Sequence, residues 1–229
     1  MVRGVRFNYS TLGQGDDLVL LIQGLFVDNH ASWYLSAAPT LAPHCKRVMH
    51  DLRGHGLSER PKSGYTLEDH VLDAAAVLDE LGFGDRKVTV VGNSCGGRIA
   101  LAFGVRFPER DRSLAIVDSH PADTEFTELM AETLPLPEEE RKQRIREIWE
   151  NWTSEMSIDR GMADKDAMEM RQRAEAFGKR KWVQLSKAMW QLAYETLFID
   201  DVKAASTVSD AELAGLTCPV LALYGESRT

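Results

Sequence analysis

A strand-like apolar run that ends in a small-residue turn and continues at once as a helix limits the folds available to this chain. The segment is VTVVGNSCGGRIALAF, residues 88–103. Its first half is almost free of polar residues, which is typical of a strand buried on both faces. Glycines two residues before and after Ser94 let the strand and the helix approach each other closely. The pattern predicts a parallel sheet with the Ser94 hydroxyl at its carboxyl edge, where open α/β folds bind ligands.

The flanking sequence predicts further strands and helices. Two short strand-like runs, VRFNYS and LVLLIQ, flank the turn-rich LGQGDD and predict a hairpin-like start. Further strands are predicted at KRVMHDL and SLAIVD. Thr66, with Asp69 three residues on, begins an amphipathic helix that ends at Gly82. Strands and helices in alternation predict an α/β fold with a mostly parallel, doubly wound sheet.

Residues 122–212 carry helical periodicity alone. We therefore expect a core sheet over residues 1–121, a helical insertion over 122–212, and a return to the sheet over 213–229, where PVLALYG is the last strand. The insertion contains two apolar stripes at helical spacing, which are Ile145, Ile148, Trp149 and Trp152, and Trp182, Leu185, Met189 and Leu192. These stripes either line a cavity or form the insertion's own core, since one amphipathic face does not show what it packs against.

The composition is that of an acidic globular protein. Phosphate binding needs clustered Lys and Arg, so the net charge of −8 over 229 residues argues against a nucleic-acid partner. The longest apolar run, LVLLI, is too short to span a membrane, and the N-terminus has no apolar signal region. We therefore expect a cytoplasmic protein without a membrane partner. The three cysteines are widely spaced and odd in number, which favours reduced thiols.

Three motifs together resemble the α/β-hydrolase fold superfamily. DLRGHGLSERP resembles its D-x-R-G-x-G-x-S segment, GNSCGG resembles its nucleophile elbow, and CPVLALYGE resembles the strand that precedes its acid. The resemblance implies a sheet of the α/β-hydrolase type, with the helical insertion as a cap. It implies a nucleophile at Ser94 and an oxyanion hole made by the backbone amides of Cys95 and of Leu25, which lies in the turn QGLFVD.

The resemblance also implies a carboxylate soon after PVLALYG and a histidine after one further strand. The printed sequence continues only with ESRT, so we expect the part that carries these residues to be missing from it. An alternative lies in VDSHP, with His120 as the base and Asp118 as the acid. His55 belongs to the RGHG loop and is expected to be structural. No motif surrounds His30, His44, His50 or His70.

These observations predict a serine-dependent hydrolase that cleaves an ester, thioester, lactone or similar acyl bond through an acyl-enzyme on Ser94. The Trp-rich and Met-rich insertion favours a moderately apolar small-molecule substrate. Three alternatives stay open: a C–C bond hydrolase, because GNSCGG resembles the G-N-S-M-G-G of that group; a lyase or cyclase; and a ligand-binding protein without turnover. The sequence has no metal-ligand spacing and no glycine-rich phosphate loop, so no metal or cofactor is expected. A sheet that ends at PVLALYG would leave an open edge, which favours pairing with a second copy as a homodimer.

Overall fold

The computed structural model describes residues 1–25, 29–119, 132–133, 136–137, 139–140, 143–144, 147, 188, 191–193, 195–204 and 208–224. The chain divides into two compact units, one of Met1–Asp123 with Gln191–Thr229 and one of Thr124–Trp190. The first unit holds the sheet and the candidate site. The expected domain limits at residues 121 and 212 stay a prediction. Of the two apolar stripes, only Leu192 falls within the described residues, and it is buried.

The first unit is built on a mixed sheet. Its strands are β1 (Tyr9–Leu12), β2 (Leu18–Ile22), β3 (Lys46–His50), β4 (Val88–Asn93), β5 (Asp111–Val117) and β6 (Val220–Leu223). Their order across the sheet is β1-β3-β2-β4-β5-β6. Among the described strands, β1 is antiparallel to its neighbour β3, and the other pairings are parallel. The mostly parallel sheet expected from the sequence is therefore confirmed.

The predicted hairpin between the first two strands is wrong, because β3 lies between them. The intervening loop crosses the start of β3. Gly13 has a φ of +77°, and a β-carbon there would lie 2.5 Å from the carbonyl oxygen of Cys45. This close passage brings β2 to the far side of β3, where it pairs with β4.

Helices cover both faces of the sheet. Those in the described part of the first unit are α1 (Ala31–Leu35), α2 (Ala37–Leu41), α3 (Leu67–Glu80), α4 (Cys95–Arg106), α5 (Phe198–Ala204) and α6 (Asp210–Ala214). Thr66 caps α3 as predicted, since its hydroxyl accepts a hydrogen bond of 3.1 Å from the Asp69 amide.

The main core lies between the sheet and helices α3 and α4. Fully buried side chains such as Leu20 on β2, Val71 on α3 and Ile99 on α4 pack together there. Burial of each aliphatic side chain of this kind contributes about 1.5–3 kcal/mol relative to leaving it in water. A smaller cluster around Leu21 and Met49 forms the core of the opposite face. This two-sided packing holds the carboxyl ends of the parallel strands in fixed register.

The β6 strand is the edge of the sheet in the described part of the chain. Its side chains are exposed, with 45% of Val220, 54% of Leu221 and 49% of Leu223 accessible to solvent. Pairing of this edge with a second copy stays a prediction. None of the helices described is both long enough and apolar enough to cross a membrane.

Candidate active site

Ser94 occupies a sharp turn between β4 and α4. Its φ of 51° and ψ of −126° fall in a region that residues with a side chain rarely adopt. The backbone nitrogen of Ser94 donates a hydrogen bond of 3.0 Å to the carbonyl oxygen of Val117 on β5. The strand, turn and helix therefore lie where the sequence predicts, and the turn is strained at the serine itself.

Two glycines make this turn possible. A β-carbon on Gly92 would overlap the carbonyl of Gly96, and one on Gly96 would overlap the carbonyl oxygen of Ile22 on β2. The first contact lets β4 run directly into α4, and the second lets α4 approach β2. The spacing of glycines around Ser94 is thus a packing requirement, as expected for a nucleophile elbow.

The loop that follows β2 lies against the turn. A β-carbon placed on Gly24 would be 3.5 Å from the Cβ of Ser94 and 3.6 Å from the side-chain nitrogen of Asn93. Leu25, the next residue, is half-buried and packs against the main core. Cys95 is the first residue of α4, where the partial positive charge of a helix N-terminus is concentrated. The structure thus places the Gly24–Leu25 segment against Ser94, and Cys95 follows Ser94 at the start of α4. The role of the Leu25 and Cys95 amides in an oxyanion hole stays a prediction.

Asp118 directly follows β5 and lies beside the Ser94 turn. Asn93 pairs with Val117, so Ser94 and Asp118 are the residues that directly follow this last pair of β4 and β5. Asp118 has a φ of 42°, and its backbone nitrogen donates a hydrogen bond of 2.8 Å to the carbonyl of Leu223. Two strained residues therefore lie side by side at the carboxyl edge of the sheet, which is a common property of functional sites. His120 lies outside the described residues.

Ser119 holds the Ser94 turn in place, and the sequence did not indicate this role. Its side chain is 3% exposed, and its hydroxyl donates a hydrogen bond of 2.6 Å to the carbonyl oxygen of Ser94. A β-carbon on Gly97 would lie 2.5 Å from the Ser119 hydroxyl oxygen, so this glycine makes room for it. The hydroxyl of Tyr224 in turn donates to the carbonyl of Ser119 at 2.8 Å. No local motif marks Ser119, because its contact depends on the pairing of β4 with β5.

The DLRGHGLS segment folds around the buried carboxylate of Asp51. One oxygen accepts hydrogen bonds of 2.8 Å from the side-chain nitrogen of Asn8 and from the Leu57 amide. The other accepts bonds of 2.8 Å from the amide and from the Nδ1 of His30. Burial alone would raise the pKa of Asp51, but these hydrogen bonds outweigh it and hold the pKa below its ordinary value. Asp51 is therefore a charged anchor for the segments that surround it.

The other candidate groups have structural roles in the described part of the chain. His55 is buried, and its Nδ1 lies 2.9 Å from the carbonyl of Arg53, as expected for a structural histidine. Within the described ranges, no three His, Cys, Asp or Glu side chains are grouped so that they could hold a metal ion. The three cysteines, Cys45, Cys95 and Cys218, are reduced thiols outside any disulfide.

The chain belongs to the alpha/beta hydrolase fold family, whose model matches residues 17–227. It is 35% identical over 127 residues to a 2-hydroxy-6-oxo-2,4-heptadienoate hydrolase of Pseudomonas putida, a match that covers 55% of this chain and 45% of that protein. It is 37% identical over 127 residues to a 2-hydroxymuconate semialdehyde hydrolase of a Pseudomonas species, covering 55% of this chain and 44% of that protein.

Similarity to solved structures extends over nearly the whole chain. One of these, Est816, described as an N-acyl homoserine lactone degrading enzyme, has 25% sequence identity and a TM-score of 0.63. The match covers 98% of this chain and 80% of that structure. By contrast, the chain spans less than half the length of the two curated Pseudomonas relatives.

Proposed function

We propose that this protein is a hydrolase that cleaves an ester, thioester, lactone or similar acyl bond, with Ser94 as the nucleophile. The observation that carries the proposal is the strained Ser94 turn, which lies against the Gly24–Leu25 loop and leads directly into the N-terminus of α4. Acyl transfer requires an accessible nucleophilic hydroxyl and nearby backbone amides that can donate hydrogen bonds to the oxyanion. Membership of the hydrolase fold family supports the same reaction class.

The proposed chemistry has two halves. The Ser94 oxygen attacks the substrate carbonyl while a histidine takes its proton, and the amides of Leu25 and Cys95 stabilise the negative oxygen of the tetrahedral intermediate. The histidine then returns the proton to the leaving group, which departs and leaves an acyl-enzyme. Water attacks the acyl-enzyme in the same way and releases the acid. Asp118 is the candidate for the carboxylate that orients the histidine, and His120 is the candidate base from the same segment.

The substrate proposal rests on composition. The apolar stripes predicted between residues 122 and 212 favour a moderately apolar acyl group over a small charged one. A panel of p-nitrophenyl esters with acyl chains of increasing length tests this directly. We expect kcat/KM to rise with chain length, and a preference for short charged esters would contradict it.

Hydrolysis of a C–C bond is the second candidate function. Two relatives with 35% and 37% identity are named as hydrolases of 2-hydroxy-6-oxo-2,4-heptadienoate and of 2-hydroxymuconate semialdehyde. Asn93 beside Ser94 gives the GNSCGG sequence that resembles that group. Such dienoates absorb visible or near-ultraviolet light, so their loss can be followed without a coupled assay. Turnover of a dienoate but not of esters would favour this second function over the first.

Peptide-resolved labelling with an alkyl fluorophosphonate tests the role of Ser94. The probe phosphonylates activated serines, and trypsin should release Ser94 in the peptide of residues 88–98. We expect this peptide to be labelled in the native protein and unlabelled in Ser94→Ala, which should also lose ester hydrolysis. Ser113→Ala removes a half-buried hydroxyl of β5 away from the turn and should retain both properties. Absence of label on residues 88–98 in a folded native protein would contradict the proposal and favour a binding protein without turnover.

A further inference from the structure

Ser10, His30 and Asp51 form a second hydrogen-bonded set of serine, histidine and carboxylate. The hydroxyl oxygen of Ser10 lies 3.0 Å from the Nε2 of His30. The Nδ1 of the same ring lies 2.8 Å from the Oδ1 of Asp51. The two ring nitrogens thus connect a hydroxyl to a buried carboxylate, which is the connectivity that activates a nucleophilic serine.

The hydrogen bonds around Asp51 fix the direction of this set. An ionised carboxylate only accepts hydrogen bonds, so the Nδ1 of His30 is the donor in their contact. In the neutral ring, Nε2 then carries the lone pair and accepts the proton of the Ser10 hydroxyl. The side-chain nitrogen of Asn8 comes within 3.4 Å of Nδ1, but its shorter bond of 2.8 Å goes to the other oxygen of Asp51.

This set is separate from the Ser94 turn. Ser10 lies on β1, an edge strand, and three steps across the sheet separate β1 from β4, a distance of about 14 Å for regular strands. Ser10 is half-buried, the His30 side chain is 15% exposed and the Asp51 side chain is 2% exposed. The carboxylate end of the set therefore faces the interior, and the serine and histidine are partly accessible to solvent.

We propose that Ser10 is a second reactive serine, activated by His30 and oriented through Asp51, that accepts acyl or phosphonyl groups from small activated electrophiles. With a fluorophosphonate, the bond from the Ser10 oxygen to phosphorus forms, the phosphorus–fluorine bond breaks, and fluoride leaves. The hydroxyl proton passes to Nε2 of His30 and from there to solvent. Activated electrophiles are the expected class because the three residues supply a base and its orientation, and reagents with good leaving groups need little more.

The test uses the full chain with Ser94 replaced by Ala, so that labelling at the first site is absent. Trypsin should release residues 7–46 as one peptide that holds Ser10 together with the exposed Ser36. Fragmentation of this peptide locates the label, and Ser36 is the internal reference. We expect Ser10 to be labelled at least tenfold faster than Ser36. In the further variant His30→Gln, we expect that ratio to fall to about one.

Two controls separate activation from mere exposure. Thr11→Ala, an exposed neighbour on β1, should leave the ratio unchanged. Unfolding the protein in urea should equalise labelling of Ser10 and Ser36, because the contact with His30 then disappears. Equal labelling of the two serines in the folded Ser94→Ala protein, or an unchanged ratio in a folded His30→Gln variant, would overturn the proposal.

Discussion

The side-chain hydroxyl of Ser119 donates a hydrogen bond of 2.6 Å to the backbone carbonyl of Ser94. This bond joins the end of β5 to the strained turn on β4, and the hydroxyl of Tyr224 extends the connection towards β6. A backbone held at positive φ persists only where its surroundings fix it. Ser119 is therefore a positioning residue for the Ser94 turn.

Replacement of Ser119 by Ala should affect both stability and reactivity. The carbonyl of Ser94 loses one of its two donors and keeps the Gly97 amide at 2.9 Å, so the free energy of unfolding should fall by about 0.5–1.5 kcal/mol. The turn should also become less restricted, and labelling of Ser94 by the fluorophosphonate should slow several-fold. Urea denaturation and labelling kinetics measure the two effects. Ser113→Ala removes a hydroxyl contact of 2.9 Å with Thr89 on the same strand pair and should lower stability alone. Equal labelling rates for Ser119→Ala and the native protein would show that Ser119 only stabilises the sheet.

Two glycine replacements should have opposite consequences. In Gly92→Ala the new methyl group would overlap the backbone of Gly96, so we expect little folded protein. In Gly24→Ala the nearest atom is the Cβ of Ser94 at 3.5 Å, an ordinary contact, so the fold should persist. That methyl group would nevertheless crowd the approach to Ser94 and slow its labelling. Circular dichroism and labelling rates distinguish the two cases, and a folded, reactive Gly92→Ala protein would contradict the packing argument.

The parts of the fold that the sequence predicted are those encoded locally. The buried character of β4 and the glycines around Ser94 specify the turn within a dozen residues, and Thr66 specifies the start of α3 in the same way. By contrast, β1 pairs with β3, which lies more than thirty residues further along the chain, and no local pattern indicates this. The predicted hairpin failed for that reason.

The same limit explains which candidate residues sequence analysis overlooked. His30 is surrounded by no motif, and its contacts with Ser10 and Asp51 exist only because β1 and β3 are neighbours. Ser119 lies between Asp118 and His120, and its contact with Ser94 is not predictable from the sequence because it depends on the register of β4 and β5. Long-range pairing, rather than residue type, determines both sets of contacts.

Two buried histidines should make the fold sensitive to acid. Burial, the largest cause, lowers the pKa of His50 from 6.5 to about 4 and that of His70 from 6.5 to about 3. Below pH 6.5 the unfolded chain binds protons that the folded chain does not. The free energy of unfolding therefore decreases as the pH is lowered, down to about pH 4 for His50 and about pH 3 for His70. The two groups together should contribute a slope of up to about 3 kcal/mol per pH unit.

His50→Leu tests this contribution. Neither ring nitrogen of His50 has a hydrogen-bond partner among the residues described, so an apolar replacement of similar size should cost little at pH 7. We expect the variant to lose less stability than the native protein between pH 6.5 and pH 4, as measured by urea denaturation. Val48→Ala on the same strand should lower stability equally at each pH. An unchanged pH slope in His50→Leu would contradict the buried, neutral state of this ring.

The ion pair between Arg53 and Asp73 should be far more important to stability than the one between Arg106 and Glu68. In the first pair the side chains are 5% and 1% exposed, and a guanidinium nitrogen of Arg53 donates to Asp73 at 2.6 Å. Asp73→Ala would leave the Arg53 charge buried without its carboxylate, which should cost about 3–5 kcal/mol. In the second pair both side chains are 55% exposed, so solvent screens the attraction and Glu68→Ala should change stability by less than about 1 kcal/mol. Urea denaturation of the two variants measures the difference. Equal losses of stability in the two variants would contradict this prediction. Arg3 also contacts Asp73, at 2.7 Å, so Arg3→Ala measures how much of the loss in Asp73→Ala comes from that second contact.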